Sequence, residues 1–246
     1  MINLLATRTD LQNESLINYF KNTKINVVNF PFFKIEPILK NESIQYILDN
    51  IHRYQKLIFI SSNAANCFKH IVKSHQIKLP PGVHFFCIGP TTKKELSFFN
   101  HFVHSPANIF DSQALLKLEQ LQNITQEPIL IIRGEGGKEL LRNELEKQGA
   151  KVDYLECYKR VFLPIDFDFI IKTTKSSSLY VMITSTEIAR HFVESFNIYS
   201  AKHSQDLKLI KFIVNHNNII DVLKPLGNDI FLTTSLNPES IEEILK

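Results

Sequence analysis

The chain has 246 residues, 44% of them hydrophobic and 22% charged, a composition that supports packed cores and excludes an intrinsically disordered chain. Lys and Arg number 28 against 25 Asp and Glu, and the resulting formal charge of +3 is too small to make nucleic acid the default partner. The three cysteines, Cys67, Cys87 and Cys157, are odd in number and widely spaced, which fits reduced core thiols and neither a disulfide framework nor a zinc cage.

The opening MINLLATRTD has no basic n-region and no long apolar h-region, and no apolar run approaches the ~18 residues of a membrane span. The expectation is a cytoplasmic protein with no membrane partner. Ile2–Ala6 reads as a strand followed by an amphipathic helix over Leu11–Lys21, with Asp10 as its cap. The same pairing recurs at Leu57–Ile60 with Ser62–Lys73, at His84–Ile88 with Thr91–Phe99, and at Ile129–Ile132 with Gly137–Gln148. It returns at Leu179–Ile183 with Thr186–Phe196, at Leu209–Val214 with Asn217–Leu226, and at Ile230–Thr233 with Pro238–Leu245, the last capped by Asn237 or Ser235. Alternating units of this length predict α/β architecture, with parallel sheets carrying helices on both faces.

Two stretches break the alternation. Residues 25–38 (INVVNFPFFKIEPI) and 151–165 (KVDYLECYKRVFLPI) are extended, rich in β-branched and aromatic residues, and not directly followed by a capped helix. They predict a two-stranded β-ribbon joining two doubly wound lobes, with the active site in the interlobe cleft. One lobe is then discontinuous, 1–33 plus 163–246, and the other is the insert, 34–162. The segments FISSNAANCF (Phe59–Phe68) and MITSTEIARHF (Met182–Phe192) share a strand that ends in hydroxyl residues before a helix, which hints at internal duplication.

The strand-to-helix turns hold the candidate chemistry. Ser61, Ser62 and Asn63, Gly89 with Thr91 and Thr92, Arg133 and Gly134, and Thr184 and Ser185 all stand where a parallel strand hands over to a helix. Ser, Thr and Asn there serve first as N-caps. The same turns lie on the carboxyl edge of a doubly wound sheet, where helix N-termini offer free N–H groups to anions. Facing one cleft, they would form a nearly neutral, amide-rich cradle for a polyanion. IIRGEGGKELL (Ile131–Leu141) is neither a dinucleotide fingerprint, because Glu139 stands where the last glycine belongs, nor a P-loop, because no G-K-[ST] follows. Strict alternation places Tyr154, Glu156, Tyr158 and Arg160 on one side of their strand unless a bulge intervenes, and a ribbon tyrosine is ordinarily a cross-strand packing residue. No histidine spacing suits a metal, His101 and His104 read as loop residues, and no GxSxG elbow appears.

Taken together, LLATR (Leu4–Arg8), FISSNAANCF, FCIGPTTKKEL (Phe86–Leu96), the long segment Ile131–Arg160 and MITSTEIARHF resemble the uroporphyrinogen-III synthase family over nearly the whole chain. The resemblance implies a cofactor-free cyclising lyase acting on hydroxymethylbilane, a linear tetrapyrrole with eight carboxylates, in haem and sirohaem biosynthesis. It also implies a monomer making transient contact with hydroxymethylbilane synthase. Tyr158 matches the family's ribbon tyrosine, proposed there to assist departure of the hydroxyl group. Arg8, Ser61, Ser62, Asn63, Gly89, Thr92, Arg133, Gly134, Thr184 and Ser185 are then the expected substrate-binding residues. The chain departs from the family at Asn215–Asn218, where Asn-His-Asn-Asn replaces a Gly/Thr turn. Two other readings are a non-catalytic two-lobe sensor of a tetrapyrrole or other polyanion and a nucleotide-sugar transferase; the second lacks a nucleotide fingerprint.

Overall fold

The structure is a computed structural model that describes residues 2–174, 178–203 and 207–246. In chain order the elements begin with β1 (Ile2–Ala6), α1 (Asp10–Phe20), β2 (Ile25–Asn29), β3 (Phe33–Pro37), α2 (Glu42–Asp49), β4 (Lys56–Phe59) and α3 (Ser62–Ser74). Next come β5 (His84–Cys87), α4 (Pro90–Leu96), β6 (Phe102–His104), α5 (Ser112–Leu116), β7 (Pro128–Gly134), α6 (Leu140–Lys147) and β8 (Lys151–Phe162). The chain continues with α7 (Phe167–Thr174), β9 (Ser178–Ile183), α8 (Thr186–His203), β10 (Ile210–Val214), α9 (Asn217–Leu223), β11 (Asp229–Leu232) and α10 (Pro238–Leu245).

These elements fall into two compact units. The first comprises Met1–Lys34 with Val161–Lys246, and the second Ile35–Arg160. The sheet of the first unit runs β11-β10-β9-β1-β2, with every neighbouring pair parallel. β1 leads to β2 on one side, whereas β9, β10 and β11 step away on the other. The direction of winding therefore reverses between β1 and β9. A six-stranded sheet runs β3-β8-β7-β4-β5-β6, and its pairs from β8 to β6 are parallel. Here the winding reverses between β4 and β7. In such sheets the crevice outside the carboxyl ends of the strands at the reversal is the expected ligand position.

Burial follows the period-2 alternation of the strands. In the six-stranded sheet, Leu57, Phe59, Phe85, Cys87, Leu130 and Ile132 face one core with Ile44, Ile47 and Phe68 of α2 and α3. Ile58, Phe86, Ile129 and Ile131 point the other way, onto Leu115 of α5 and Leu141 and Leu145 of α6. In the five-stranded sheet, Leu4, Ala6, Tyr180, Met182 and Ile213 meet Leu16, Phe20, Ile241 and Leu245 of α1 and α10. Helices on both faces explain why these strands read as unbroken apolar runs.

Sequence and structure part at particular elements. The extended stretch 25–38 divides at Pro31: β2 lies parallel to β1, and only the second half pairs with β8. That pairing is antiparallel, because Leu163 N donates to Phe32 O and Ile38 N donates to Cys157 O, each at 2.9 Å. HFVH is not a loop. Phe102–His104 adds to β5 as a parallel edge strand, and the His104 ring stacks on Phe86. Asp10 is the first residue of α1 rather than its cap; Thr9 holds the cap position, and the Asp10 carboxylate instead accepts from Asn29 at 2.6 Å. The helix predicted from Gly137 starts at Leu140, because residues 135–139 form a turn in which Gly136 takes φ +69°. α2 lies where no element was expected, capped by Asn41, whose Oδ1 accepts from Ile44 N at 2.7 Å.

Phe192 of α8 is fully enclosed, with Phe32, Phe167 and Phe212 rings 5.7, 5.5 and 5.4 Å from its own. Phe192→Ala leaves a cavity among these rings and is expected to cost about 3–5 kcal/mol of stability, read as a lowered midpoint in denaturant unfolding followed by circular dichroism.

Candidate functional site

In the second unit, β4 and β7 end side by side at the winding reversal, and Tyr158 of β8 lies over those ends. Its phenol reaches Ser61, at the end of β4, with 3.1 Å between the two oxygens. Ser61 is also the N-cap of α3, where its Oγ accepts from Ala64 N at 3.1 Å. Ser62 and Asn63 are half-buried in the first turn of the same helix. Gly134 ends β7 beneath the tyrosine ring, and a Cβ there would come within 2.4 Å of Tyr158 Cε2. The glycine is therefore required by the ring above it.

A β-bulge aims Tyr158. The register of β7 on β8 pairs Arg133 with Glu156 and then Gly134 with Tyr158, so that Cys157 is the extra residue. Val152 and Tyr154 face the α5–α6 core, whereas Leu155, Cys157 and Tyr158 all face the α2–α3 core. Strict alternation, which groups Tyr158 with Tyr154 and Glu156, fails at this one residue. The bulge is held by Glu135 N donating to Tyr158 O at 2.9 Å and by the Cys157 thiol donating to Arg133 O at 3.5 Å. Its neighbour Cys67 and its own burial push the Cys157 thiol up, so it stays neutral. All three cysteines are buried and free.

Tyr158 is 4% exposed. Burial raises its phenol above the ordinary 10.0, with Ser61 and then Arg160 acting in the opposite direction. At neutral pH it is a protonated hydroxyl, available as a donor.

The two arginines singled out in the sequence have different environments. Arg133, 5% exposed, donates to Glu139 at 2.9 Å and to Glu156 at 3.1 Å, and its guanidinium lies 3.8 Å from the centre of the Tyr154 ring. Two carboxylates neutralise it, and through Glu139 it ties down the turn after β7. Tyr154 and then Arg133 hold the Glu139 carboxyl below its usual range, while burial and the Glu139 bond push the Tyr154 phenol up to about 12. Arg8, by contrast, stands at the end of β1 with one side-chain bond among the described residues, from Nη2 to Gln12 O at 3.0 Å. Its Nε is enclosed by protein and has no hydrogen-bond partner among them. Burial lowers its pKa, which leaves a desolvated guanidinium with spare donors.

Arg8 belongs to the first unit, where β1 and β9 end at the winding reversal. Thr184 and Ser185 follow β9, and Ser185 Oγ accepts from Ile188 N at 3.2 Å as the cap of α8. This is the same offset as Ser61 with Ala64, so the two similar sequence segments perform one local task. Gly89 caps α4 and Thr92 is buried in that helix; a Cβ on Gly89 would meet only Phe110 Cβ, at 3.9 Å, so close approach is not what keeps it glycine. In the departing turn, His216 occupies the cap position of α9 without a side-chain cap bond, and Asn215 Oδ1 is buried without a partner among the described residues.

A surface groove of about 560 Å³ beside α6, lined by Leu116, Leu140 and Gln148 among others, includes none of the sequence-predicted site residues. Among the described residues, no group of three or more His, Cys, Asp or Glu gathers as a metal site, and no helix is long and apolar enough to cross a membrane. Sequence reasoning missed Thr7 and Asn13, which are buried polar residues at the end of β1 and in the helix after it. Their signal was a hydroxyl and an amide placed among residues otherwise read only as strand and amphipathic helix.

The sequence profile described as "Uroporphyrinogen-III synthase HemD" matches residues 14–230. The chain is 26% identical over 196 residues to the uroporphyrinogen-III synthase of Proteus mirabilis, covering 79% of this chain and 98% of that protein. It is 30% identical over 163 residues to that of Salmonella typhimurium, covering 65% of each. Among solved structures, a mutant uroporphyrinogen III synthase from the extremely thermophilic bacterium Thermus thermophilus superposes with a TM-score of 0.66 at 11% identity, covering 100% of this chain and 98% of that one, which establishes similarity of fold.

Two optical titrations test this geometry. Subtracting a Tyr158→Phe titration from that of the wild type should isolate a phenolate whose midpoint lies above the ordinary 10.0, as burial requires. Because the folded-state pKa lies above the unfolded one, the stability that this phenol contributes is complete below the unfolded value and is lost as pH rises beyond it. Gly134→Ala is expected to push the ring out of its buried position, and relief of burial, the larger effect, should lower the pH at which Tyr158 ionises despite loss of the opposing Ser61 contact, with an overpacking cost of about 1–3 kcal/mol. A titration curve identical to that of the wild type would contradict the close Gly134–Tyr158 packing.

Proposed function

The chain belongs to the uroporphyrinogen-III synthase family, and we propose that it closes hydroxymethylbilane to uroporphyrinogen III with inversion of ring D and loss of one water. The observation that carries this reading is the buried, protonated Tyr158 phenol paired with Ser61 at the winding reversal of the six-stranded sheet.

In this reaction the C–O bond of the hydroxymethyl group breaks and its oxygen leaves as water, giving an electrophilic azafulvene. The substituted carbon of ring D attacks, and the spiro intermediate reopens and recloses with that ring inverted. Left to itself, the bilane closes without inversion, so the protein's task is to steer a reactive species. Orientation supplies most of what such a task needs.

Tyr158 is proposed to donate to the departing hydroxyl. Ser61 Oγ already accepts from Ala64 N, so its own hydrogen can be directed at the phenol oxygen. That leaves the phenolic hydrogen for the substrate. An elevated pKa keeps the proton on Tyr158 across the physiological range. Arg8, with its enclosed and unpartnered Nε, is proposed to bind one substrate carboxylate through a charge-assisted bond. Backbone amides and hydroxyls at Ser61–Asn63, Gly89, Thr92, Thr184 and Ser185 are proposed to bind others, as helix N-termini bind anions elsewhere. Gly134 supports this by leaving room for the tyrosine ring, and Arg133 by holding the turn.

Isomer analysis tests the proposal. Freshly prepared hydroxymethylbilane is incubated with the purified protein, the product is oxidised, and the type I and type III isomers are separated. Type III above the protein-free control is expected; type I alone from folded protein overturns the reading. Tyr158→Phe should slow turnover, by up to about 10²-fold for a positioned proton donor, while the product remains type III. Unchanged turnover would remove Tyr158 from the mechanism.

A further inference from the structure

The end of β1 is held by a buried polar network of the chain's own side chains, in which Asn13 Oδ1 is enclosed without a hydrogen-bond partner among the described residues. Main-chain pairing of β1 with β9 runs to Leu5 opposite Val181 and stops where the sheet reverses its winding. Two residues on, the fully buried Thr7 takes over with its side chain, whose Oγ1 donates to the carbonyl of Met182. One bond thus ties the turn that carries Arg8 to the strand that leads into Thr184 and Ser185.

Asn13 grips the same turn from α1. Its side chain is fully buried, and Nδ2 lies 2.8 Å from each of three oxygens: Ala6 O, Arg8 O and Asn29 Oδ1. Three acceptors around one atom require the NH2 end of the amide, because an oxygen there would face only oxygens, and its two hydrogens are shared among the three. Asn29 continues the chain by donating to Asp10 Oδ1 at 2.6 Å. Asn13 therefore holds the carbonyls on both sides of Thr7. Arg8 has a single side-chain bond among the described residues, to Gln12 O, so the position of its guanidinium depends on this backbone.

We propose that Thr7 and Asn13 are positioning residues for recognition of the carboxylate-bearing substrate, acting through the Arg8 turn. The proposal rests on the reading of Arg8 as a substrate-carboxylate ligand. Removing the Thr7 hydroxyl takes a donor from Met182 O, and removing the Asn13 amide takes the side-chain donor from Arg8 O, whereas Ala6 O keeps its main-chain bond from Phe30 N at 3.0 Å. The turn can then recover those bonds only by moving, and Arg8 moves with it. Substrate binding should weaken without loss of the chemistry at Tyr158, which lies in the other unit.

The test compares four variants. Thr7→Val keeps shape and removes the hydroxyl. It should raise KM for hydroxymethylbilane about tenfold, the worth of one charge-assisted bond, with kcat within about twofold and the product still type III. Thr7→Ser, which restores the hydroxyl, should bring KM back most of the way. Asn13→Ala should raise KM in the same direction where it folds. Asn26→Ala serves as the control: it removes a comparable amide bond, Asn26 Nδ2 to Asn3 Oδ1 at 2.7 Å, from the same pair of strands near their start. It should lower the unfolding temperature and leave KM unchanged. A wild-type KM in Thr7→Val, or a Thr7→Ser no better than Thr7→Val, overturns the proposal. Uroporphyrin III, an octacarboxylate, separates this outcome from failure of the reaction itself. Should the wild type form no type III product, a Kd that follows the same variant order still supports positioning. Equal Kd values, or no binding by the wild type, overturn it.

Discussion

Parallel strand order is the constraint on which the rest depends. Each strand that feeds a helix must end on the same edge of its sheet, so every strand-to-helix turn in a unit collects there. Helix N-termini collect with them, each with backbone N–H groups that have no partner inside the helix. In the first unit the reversal of winding opens this edge between β1 and β9, where Arg8 and Ser185 lie; in the second it opens between β4 and β7, where Ser61 and Gly134 lie. Neither arrangement needs residues adjacent in sequence. It needs only that each strand be short, apolar and followed by a turn into a helix.

One extra residue converts such an edge into a site with a particular hydroxyl. Without the bulge at Cys157, Tyr158 would share the face of Tyr154 and Glu156 and would lie on the α5–α6 side of the sheet. With the bulge, its ring covers Gly134 and its oxygen meets Ser61. Cys157 is what that turn of the chain requires: an uncharged thiol, buried beside Cys67, with carbonyls as its acceptors. A thiol suits the place because it packs as a small apolar group and still offers a weak donor.

The electrostatics of the two edges differ in a consistent way. Arg133 is surrounded by Glu139, Glu156 and the Tyr154 face, so its charge is satisfied within the protein and stiffens the turn above β7. Arg8 has no carboxylate within hydrogen-bond reach among the described residues, and the amide network below it is neutral except for Asp10 at its far end. At the first unit's edge the neighbours of the Arg8 guanidinium are thus dipoles and not counter-charges.

Much of this was legible in the residues. Apolar runs such as ILII and LYVMI, each leading within two residues to Ser, Thr or Gly and then to an amphipathic stretch, determine parallel strands and helices locally, because burial on both faces demands unbroken apolar segments. The caps at Ser61, Asn237 and Ser185 follow from the same local chemistry. What the sequence left open depended on partners distant along the chain. Edge strand β6 exists because β5 offers it a ladder, so HFVH read alone resembles a loop. Arg133 looked like a free cation because Glu156 is 23 residues away along the chain. The face chosen by Tyr158, and the grip of Thr7 on Met182 across 175 residues, were decided only by tertiary structure. Periodicity says which way a side chain points only until a bulge or a neighbouring strand shifts the register, and that shift is made by packing.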